Sequence, residues 1–306
     1  MDIGVIGIGS WGNRVLGEYA NLVKDGKLDG IGICDSDNNL LKDFKKKYDP
    51  KIVSNDYKDF LKGDSIDAVH ICLPNHLHYE VAKEALLNVK HVLLEKPMTI
   101  NSNKSYELIE VASHNGLILQ VGHIFRFANV IRKVQDLTAK GYFGKIYYLT
   151  LNWTTLMNPM EGIDIIWDLL PHPLDMIHFL TGKWPSDWNV ISRAYRREKL
   201  NEVAFINLDY DEFFATIGLS WVTPERKRLM EIVGSKRSAR VECVKQKIHV
   251  FEGNEKDFDL EVESNNTIKE EAINFIDSIN NMKMPFNSHI IGAKNVDVIE
   301  KIMKNV

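Results

Sequence analysis

A two-domain α/β architecture is predicted by three features: a glycine-rich run set between a short apolar stretch and an amphipathic one, strand-helix alternation over the first 122 residues, and long alternating segments beyond. At about 150 residues per domain, 306 residues also make roughly two domains. Apolar runs at 3–8, 30–34, 68–73, 91–94 and 117–121 read as strands. Amphipathic stretches at 13–23, 38–48, 78–87 and 105–114 read as the helices between them. Short strands separated by helices imply parallel pairing through crossovers, a doubly wound sheet spanning 1–122. In such sheets ligands bind at the carboxyl ends of the strands.

Past Gly122 the pattern changes. A helix at 130–140 and a turn at 141–144 lead into strand candidates at 145–153, 188–196, 203–210, 213–221, 228–233, 239–244 and 247–251. A helical segment falls at 168–180. Within 213–221, Phe213, Ala215, Ile217, Leu219 and Trp221 alternate with Phe214, Thr216, Gly218 and Ser220, giving one apolar face. Residues 123–306 are therefore expected to form an α+β domain with a large, mostly antiparallel open sheet, closed by helices at 269–282 and 292–305.

Charge and composition exclude several classes. Lys plus Arg is 38 and Asp plus Glu 42, for a net charge of −4 with the signs interspersed, so nucleic acid is not expected as a partner. Apolar runs such as 92–94 fall far short of the ~18 residues of a spanning helix, and the start shows no charged-then-apolar leader, so no membrane partner is expected. Cys34, Cys72 and Cys243 are odd in number and lack Cys-x-x-Cys spacing, which points to thiols of a reducing, cytoplasmic compartment.

Gly7-Ile8-Gly9-Ser10-Trp11-Gly12 follows a strand and opens a helix, the setting that turns a glycine pattern into a dinucleotide signal. The first glycine allows the tight turn, the second a close approach of backbone to pyrophosphate, and the third helix-strand packing. Asp35, at the end of the second strand, stands where a carboxylate accepts ribose hydroxyls and repels a 2′-phosphate. No Arg or Lys follows before Lys42, so NAD is favoured, with NADP as the alternative. Asp35 also suits a turn or a helix cap, as does Asp37.

Leu73-Pro74-Asn75-His76-Leu77-His78 and Glu95-Lys96-Pro97 close two further strands on the same rim. Leu73, Pro74, Asn75, His78, Glu95 and Lys96 are accordingly the candidate cofactor contacts. Together with Gly122-His123, Arg126-Phe127 and above all Glu95-Lys96-Pro97, the chain resembles the Gfo/Idh/MocA oxidoreductases, relatives of glucose-fructose oxidoreductase and inositol dehydrogenase. The resemblance runs over essentially the whole chain and implies an N-terminal Rossmann domain.

It also implies an Asp-x-x-x-His on the second domain, which here is Asp168 and His172 within Asp168-Leu169-Leu170-Pro171-His172-Pro173-Leu174-Asp175. By that likeness His172 is the general acid/base, Asp168 its neighbour, and Lys96 the residue contacting substrate hydroxyls. Four residues turn a helix through about 400°, so Asp168 and His172 would share a face, joined by Asp175. Pro173 would forfeit a bond if the helix began at Asp168, so an irregular start is expected. Ile163 to Trp167 and Pro171 stand where many members carry glycines, and the Trp-Asp-Leu-x-Pro-His version looks like the nucleotide-sugar 3-dehydrogenase subset.

Such residues suit alcohol oxidation. An imidazole takes the hydroxyl proton, an ammonium donates to the oxygen gaining charge, and a carboxylate fixes the imidazole tautomer. Arg126 is a candidate for substrate or cofactor-amide contact, and His76, His178 and Glu161 read as structural. Asp168 could instead be an N-cap, and Asp168, His172 and Asp175 could ligate a metal, although hydride transfer needs none and no metal is expected. The expected activity is hydride transfer between the nicotinamide and a secondary alcohol of a sugar, cyclic polyol or nucleotide sugar, by a homodimer or homotetramer joined through the open sheet. The rivals are a non-catalytic dinucleotide-dependent sugar sensor and a glycosidase or lyase that recycles bound NAD.

Overall fold

The computed structural model describes residues 1–158, 162–196, 198–253 and 256–306, so Glu161 lies outside the described residues. The first strands and helices run in order as β1 (Asp2–Ile6), α1 (Ser10–Lys24), β2 (Gly30–Cys34), α2 (Asn38–Tyr48), β3 (Ile52–Ser54), α3 (Lys58–Leu61), β4 (Ala68–Ile71), α4 (His78–Leu87), β5 (His91–Leu94), α5 (Ser102–His114) and β6 (Leu119–Val121). Their strands pair in parallel in the order β3-β2-β1-β4-β5-β6. The order reverses between β1 and β4, the crevice where doubly wound sheets bind ligands. Apart from β3 the strands are buried almost throughout, as expected when helices cover both faces. β3 and α3 were not predicted, because three and four residues are too few to show a period.

The later elements are α6 (Asn129–Ala139), β7 (Ile146–Leu156), α7 (Ile165–Leu169), α8 (Pro171–Thr181), β8 (Asp187–Arg193), β9 (Val203–Asp209), β10 (Phe214–Ser220), β11 (Val222–Gly234), β12 (Ser238–Glu242), β13 (Lys247–Glu252), β14 (Lys256–Leu260), α9 (Thr267–Asn281) and α10 (His289–Met303). The eight strands order as β14-β13-β12-β11-β7-β10-β9-β8. Their pairs are antiparallel except β7 with β10. Ala215, Ile217 and Leu219 of β10 join Leu149, Leu151 and Trp153 of β7 in the core, so the expected apolar face is there. On the other face Phe214 stacks on Tyr148, while Phe214, Phe205 and Ile191 remain 50%, 55% and 58% exposed.

The chain divides into a first unit of Met1–His123 with Thr267–Val296 and a second of Ile124–Asn266 with Asp297–Val306. The expected split is into 1–122 and 123–306; Thr267–Val296 groups here with the first unit. Ala272, Phe275 and Ile276 of α9 share one apolar cluster with Val15, Leu16 and Tyr19 of α1. Asn287 Nδ2 donates to the Val121 carbonyl and to Glu271, and His289 Nδ1 lies 2.9 Å from the Leu119 carbonyl. The amphipathic period of α9 is plain in sequence, but a period does not name the core that receives it.

The helical segment expected at 168–180 is two helices. Asp164 caps α7, its Oδ1 accepting from Ile166 N at 2.9 Å and its Oδ2 from Asn201. Breaking after Leu169 puts Pro171 and Pro173 in the first turn of α8, where a missing N–H costs nothing. Leu170 keeps right-handed helical angles (φ −62°, ψ −31°), so the turn carries across the break. Asp168 is therefore not the cap.

Candidate active site

The glycine-rich turn has the three different demands its pattern implies. Gly7 sits at φ 86°, and a Cβ there would fall 2.6 Å from the Cys72 carbonyl oxygen. A Cβ on Gly12 would fall 1.9 Å from the Gly7 carbonyl oxygen, so α1 can lie this close to the turn only with glycine at that position. Gly9 faces open space, with nothing within 4 Å of its missing Cβ, and caps α1 without a side-chain bond. Free N–H groups and the positive dipole end of α1, beginning at Ser10, are thus available to a pyrophosphate. Asp35 is tied in by Ile8 N at 2.8 Å and Asp37 N at 2.9 Å. Asp37, not Asp35, caps α2. These residues fit a dinucleotide.

The rim is welded together by two buried side chains. His78 is fully buried, its Nδ1 2.8 Å from the Pro97 carbonyl and its Nε2 2.8 Å from the Leu73 carbonyl. Burial lowers its pKa below the usual histidine range, against the two carbonyls. His78 thus links the loop of Leu73, Pro74 and Asn75 to the Glu95-Lys96-Pro97 turn. Glu95 is the second weld. Its Oε1 accepts from the Trp11 indole and lies 3.3 Å from His70 Nε2, while His70 Nδ1 lies 3.2 Å from the Tyr19 hydroxyl. Burial works against the Glu95 charge, but His70, Trp11 and the Lys96 charge outweigh it and hold the carboxyl below its ordinary range. Gly122 leaves room for this carboxylate, since a Cβ there would fall 2.8 Å from Oε2. Lys96 is half-buried directly after it.

His70 and Tyr19 were missed by sequence reading, since a histidine inside Ala68–Ile71 gives no local sign of its partner. His70, Cys72 and Glu95 bring ligand-type atoms within 4.8 Å of one another. Burial pushes the Cys72 thiol well above its usual pKa, so it is protonated, and Glu95 already accepts from Trp11. His70 and Glu95 thus belong to a hydrogen-bonded core cluster with Trp11 and Tyr19.

Asp168, His172 and Arg126 belong to the second unit. Asp168 and His172 are half-buried, one helical turn apart, and the His172 ring meets Phe125 edge-on at 5.1 Å. Phe125 in turn meets Trp153 at 5.5 Å. Arg126 is the residue expected to contact substrate or the cofactor amide. It is buried and paired with Asp175, Nε 2.9 Å from both carboxylate oxygens and Nη2 2.7 Å from Oδ1, with His178 Nδ1 at 3.1 Å. Asp175 is likewise committed to Arg126 and does not add a free carboxylate beside His172. A pair 49 residues apart in sequence leaves no local trace.

The strand order, the three-way glycine turn and Asp35 define the first unit as a dinucleotide-binding domain of Rossmann type, joined here to an open-sheet domain. Residues 1–123 match the model of the oxidoreductase family with an NAD-binding Rossmann fold, and residues 131–240 match the GFO/IDH/MocA C-terminal domain. The chain belongs to the Gfo/Idh/MocA family. It is 32% identical over 188 residues to the UDP-N-acetylglucosamine 3-dehydrogenase of Acidithiobacillus ferrooxidans, covering 61% of this chain and 58% of that one. To the D-glucoside 3-dehydrogenase of Escherichia coli it is 25% identical over 207 residues, covering 64% and 58%. The chain thus spans under two thirds of the length of these curated relatives. The crystal structure of the Acidithiobacillus ferrooxidans 3-dehydrogenase shares the fold, with a TM-score of 0.88 at 24% identity, over 100% of this chain and 97% of that one.

Proposed function

We propose that the protein is a cytoplasmic NAD-dependent dehydrogenase or reductase working on a secondary alcohol of a sugar, cyclic polyol or nucleotide sugar. The observation that carries this is the bond from Trp11, inside the dinucleotide turn, to Glu95, the residue before Lys96. It ties the position of an ammonium to the cradle of the cofactor, an arrangement a mere binding domain does not require. Bound NAD would supply the hydride acceptor. Lys96 donates to the substrate oxygen as it gains negative charge, and His172 removes the hydroxyl proton. Asp168, one turn before His172, holds the imidazole in its working tautomer. The relatives named above act, by their names, on a UDP-linked sugar and on glucosides, which supports the carbohydrate class. Asp35 favours NAD over NADP by charge. The exposed Phe205 and Phe214 support assembly as a homodimer or homotetramer through the open sheet.

The test is NADH formation across free and nucleotide-linked sugars and polyols. Lys96→Met and His172→Ala should each cut kcat by about 10²- to 10⁴-fold with NAD affinity within a few-fold. Unchanged turnover in either variant rejects its assignment. Product without accumulating NADH would replace net oxidation by recycling.

A further inference from the structure

The second unit carries a basic recess that the proposed chemistry does not use. A cavity of about 280 Å³ opens where β11 begins and where β12 turns into β13, walled by Arg226, Lys227, Arg228, Leu229, Val244 and Lys245. Glu225 and Glu242 also line it, but each is taken by a lysine: Lys227 Nζ lies 2.9 Å from Glu225 and Lys245 Nζ 3.0 Å from Glu242. Arg226 and Arg228 are left over. Among the described residues neither forms an ion pair.

Arg228 is half-buried, with its guanidinium 5.9 Å from the Trp153 ring. Its Nη1 donates to the carbonyls of Thr154 at 3.0 Å and Lys227 at 2.7 Å. Among the described residues those are its hydrogen bonds, so Nε and Nη2 have no protein acceptor. Burial and the neighbouring Arg226 push its pKa down to about 10, opposed by Asp168, so the group stays charged at neutral pH. A guanidinium drawn out of water with no anion to meet it carries a desolvation cost that an anionic ligand would offset.

The recess also has an address. Asp168, on the turn that bears the candidate proton acceptor, is among the charges that act on Arg228. Ring contacts give the same route, from Arg228 over Trp153 to Phe125 and on to His172. Two unpaired arginines offer planar forks of donors that match phosphate oxygens in pairs, a geometry lysine lacks.

We propose that Arg228 and Arg226 hold a phosphate group of the substrate, so that the alcohol handled at His172 belongs to a phosphate-bearing carbohydrate and not to a free polyol. This rests on the dehydrogenase reading above and narrows it. A recess of about 280 Å³ lies just under the ~300–1,000 Å³ of sites for whole drug-sized ligands, so it accepts the anionic portion alone. The phosphate has two sources, the diphosphate of a nucleotide sugar and the monoester of a sugar phosphate.

Binding distinguishes them without turnover. The full chain, with excess NAD to fill the dinucleotide cradle, is titrated calorimetrically with UDP and, separately, with glucose 6-phosphate. One probe should bind, more weakly as NaCl is raised, and the one that binds names the source. Arg228→Met should weaken it at least about tenfold, Arg228→Lys and Arg226→Met less, and Arg240→Met, whose arginine is paired with Glu231, not at all. If neither probe binds, or if a folded Arg228→Met binds as tightly as wild type, the anion site is refuted. Should Arg228→Met fail to fold, unchanged binding by Arg226→Met, an exposed position, refutes it equally. Probe binding through Arg228 with no NADH from any sugar would sink the dehydrogenase reading and leave the anion site standing.

Discussion

The two sheets hide apolar strands in opposite ways. The first is parallel and covered by helices, so its candidate site groups sit at strand ends: Gly7 to Gly12 after β1, Asp35 after β2 and Lys96 after β5. The second is mostly antiparallel, with one covered face and one bare, so its candidate groups lie on helices at the covered side and an unfilled apolar surface is left on the other. A doubly covered sheet concentrates function at its rim, whereas a half-covered one divides it between a site and a contact surface.

Five substitutions in four variants probe that contrast. Glu95→Ala strands the Trp11 indole and His70 inside the first unit, and chemical denaturation should show a loss of about 2–5 kcal/mol at neutral pH. Because the folded-state pKa of Glu95 is depressed, its charge stabilises the fold above the ordinary carboxylate pKa of about 4.3 and ceases to do so as pH falls through the folded value. The gap between wild type and Glu95→Ala should therefore be full above about pH 5 and narrow below about pH 4. A gap that widens in acid would contradict the network. On the bare face of the second sheet, Phe205→Asp with Phe214→Asp should leave the fold intact and weaken self-association by about 2–4 kcal/mol, read by light scattering at micromolar protein. Identical mass for wild type and variant would remove the open sheet as the interface.

Two glycines give the finest comparison. A Cβ on Gly4 of β1 would fall 2.4 Å from the Phe60 ring, so Gly4→Ala should cost about 1–3 kcal/mol. On Gly218 of β10 it would meet the Asn152 side chain at 3.0 Å and the Phe205 ring at 3.4 Å, both able to yield toward solvent. Gly218→Ala should change stability by less than about 1 kcal/mol, in either direction. Equal costs in thermal melts would mean the two sheets are equally enclosed.

What the sequence disclosed follows the same division. The glycine turn, Asp35 and Glu95-Lys96-Pro97 were legible because each is contiguous, and a rim site in a parallel sheet is built from contiguous turns. The apolar face of β10 was legible because a half-covered strand must alternate. Three features were hidden. The short β3 and α3 lacked length for a period, and three of the five residues of β14 are charged, which masks its strand character. The break at Leu170 depended on Asp164 capping α7 and on two prolines sharing the next first turn. The partners Arg126 with Asp175, Glu95 with Trp11, and α9 with α1 are separated by tens to hundreds of residues, and side-chain type alone does not choose among distant partners.

The return of α9 to the first unit bears on how the polypeptide acquires its shape during synthesis. Tyr19, Leu16 and Val15 emerge from the ribosome early, but Phe275 and Ile276, which seal them, emerge only after the entire second sheet. Until then the nascent nucleotide-binding half carries a greasy seam open to chaperones or to wrong neighbours. A fragment ending at residue 123 would keep that seam permanently, and should need detergent or a fused helix to stay dispersed.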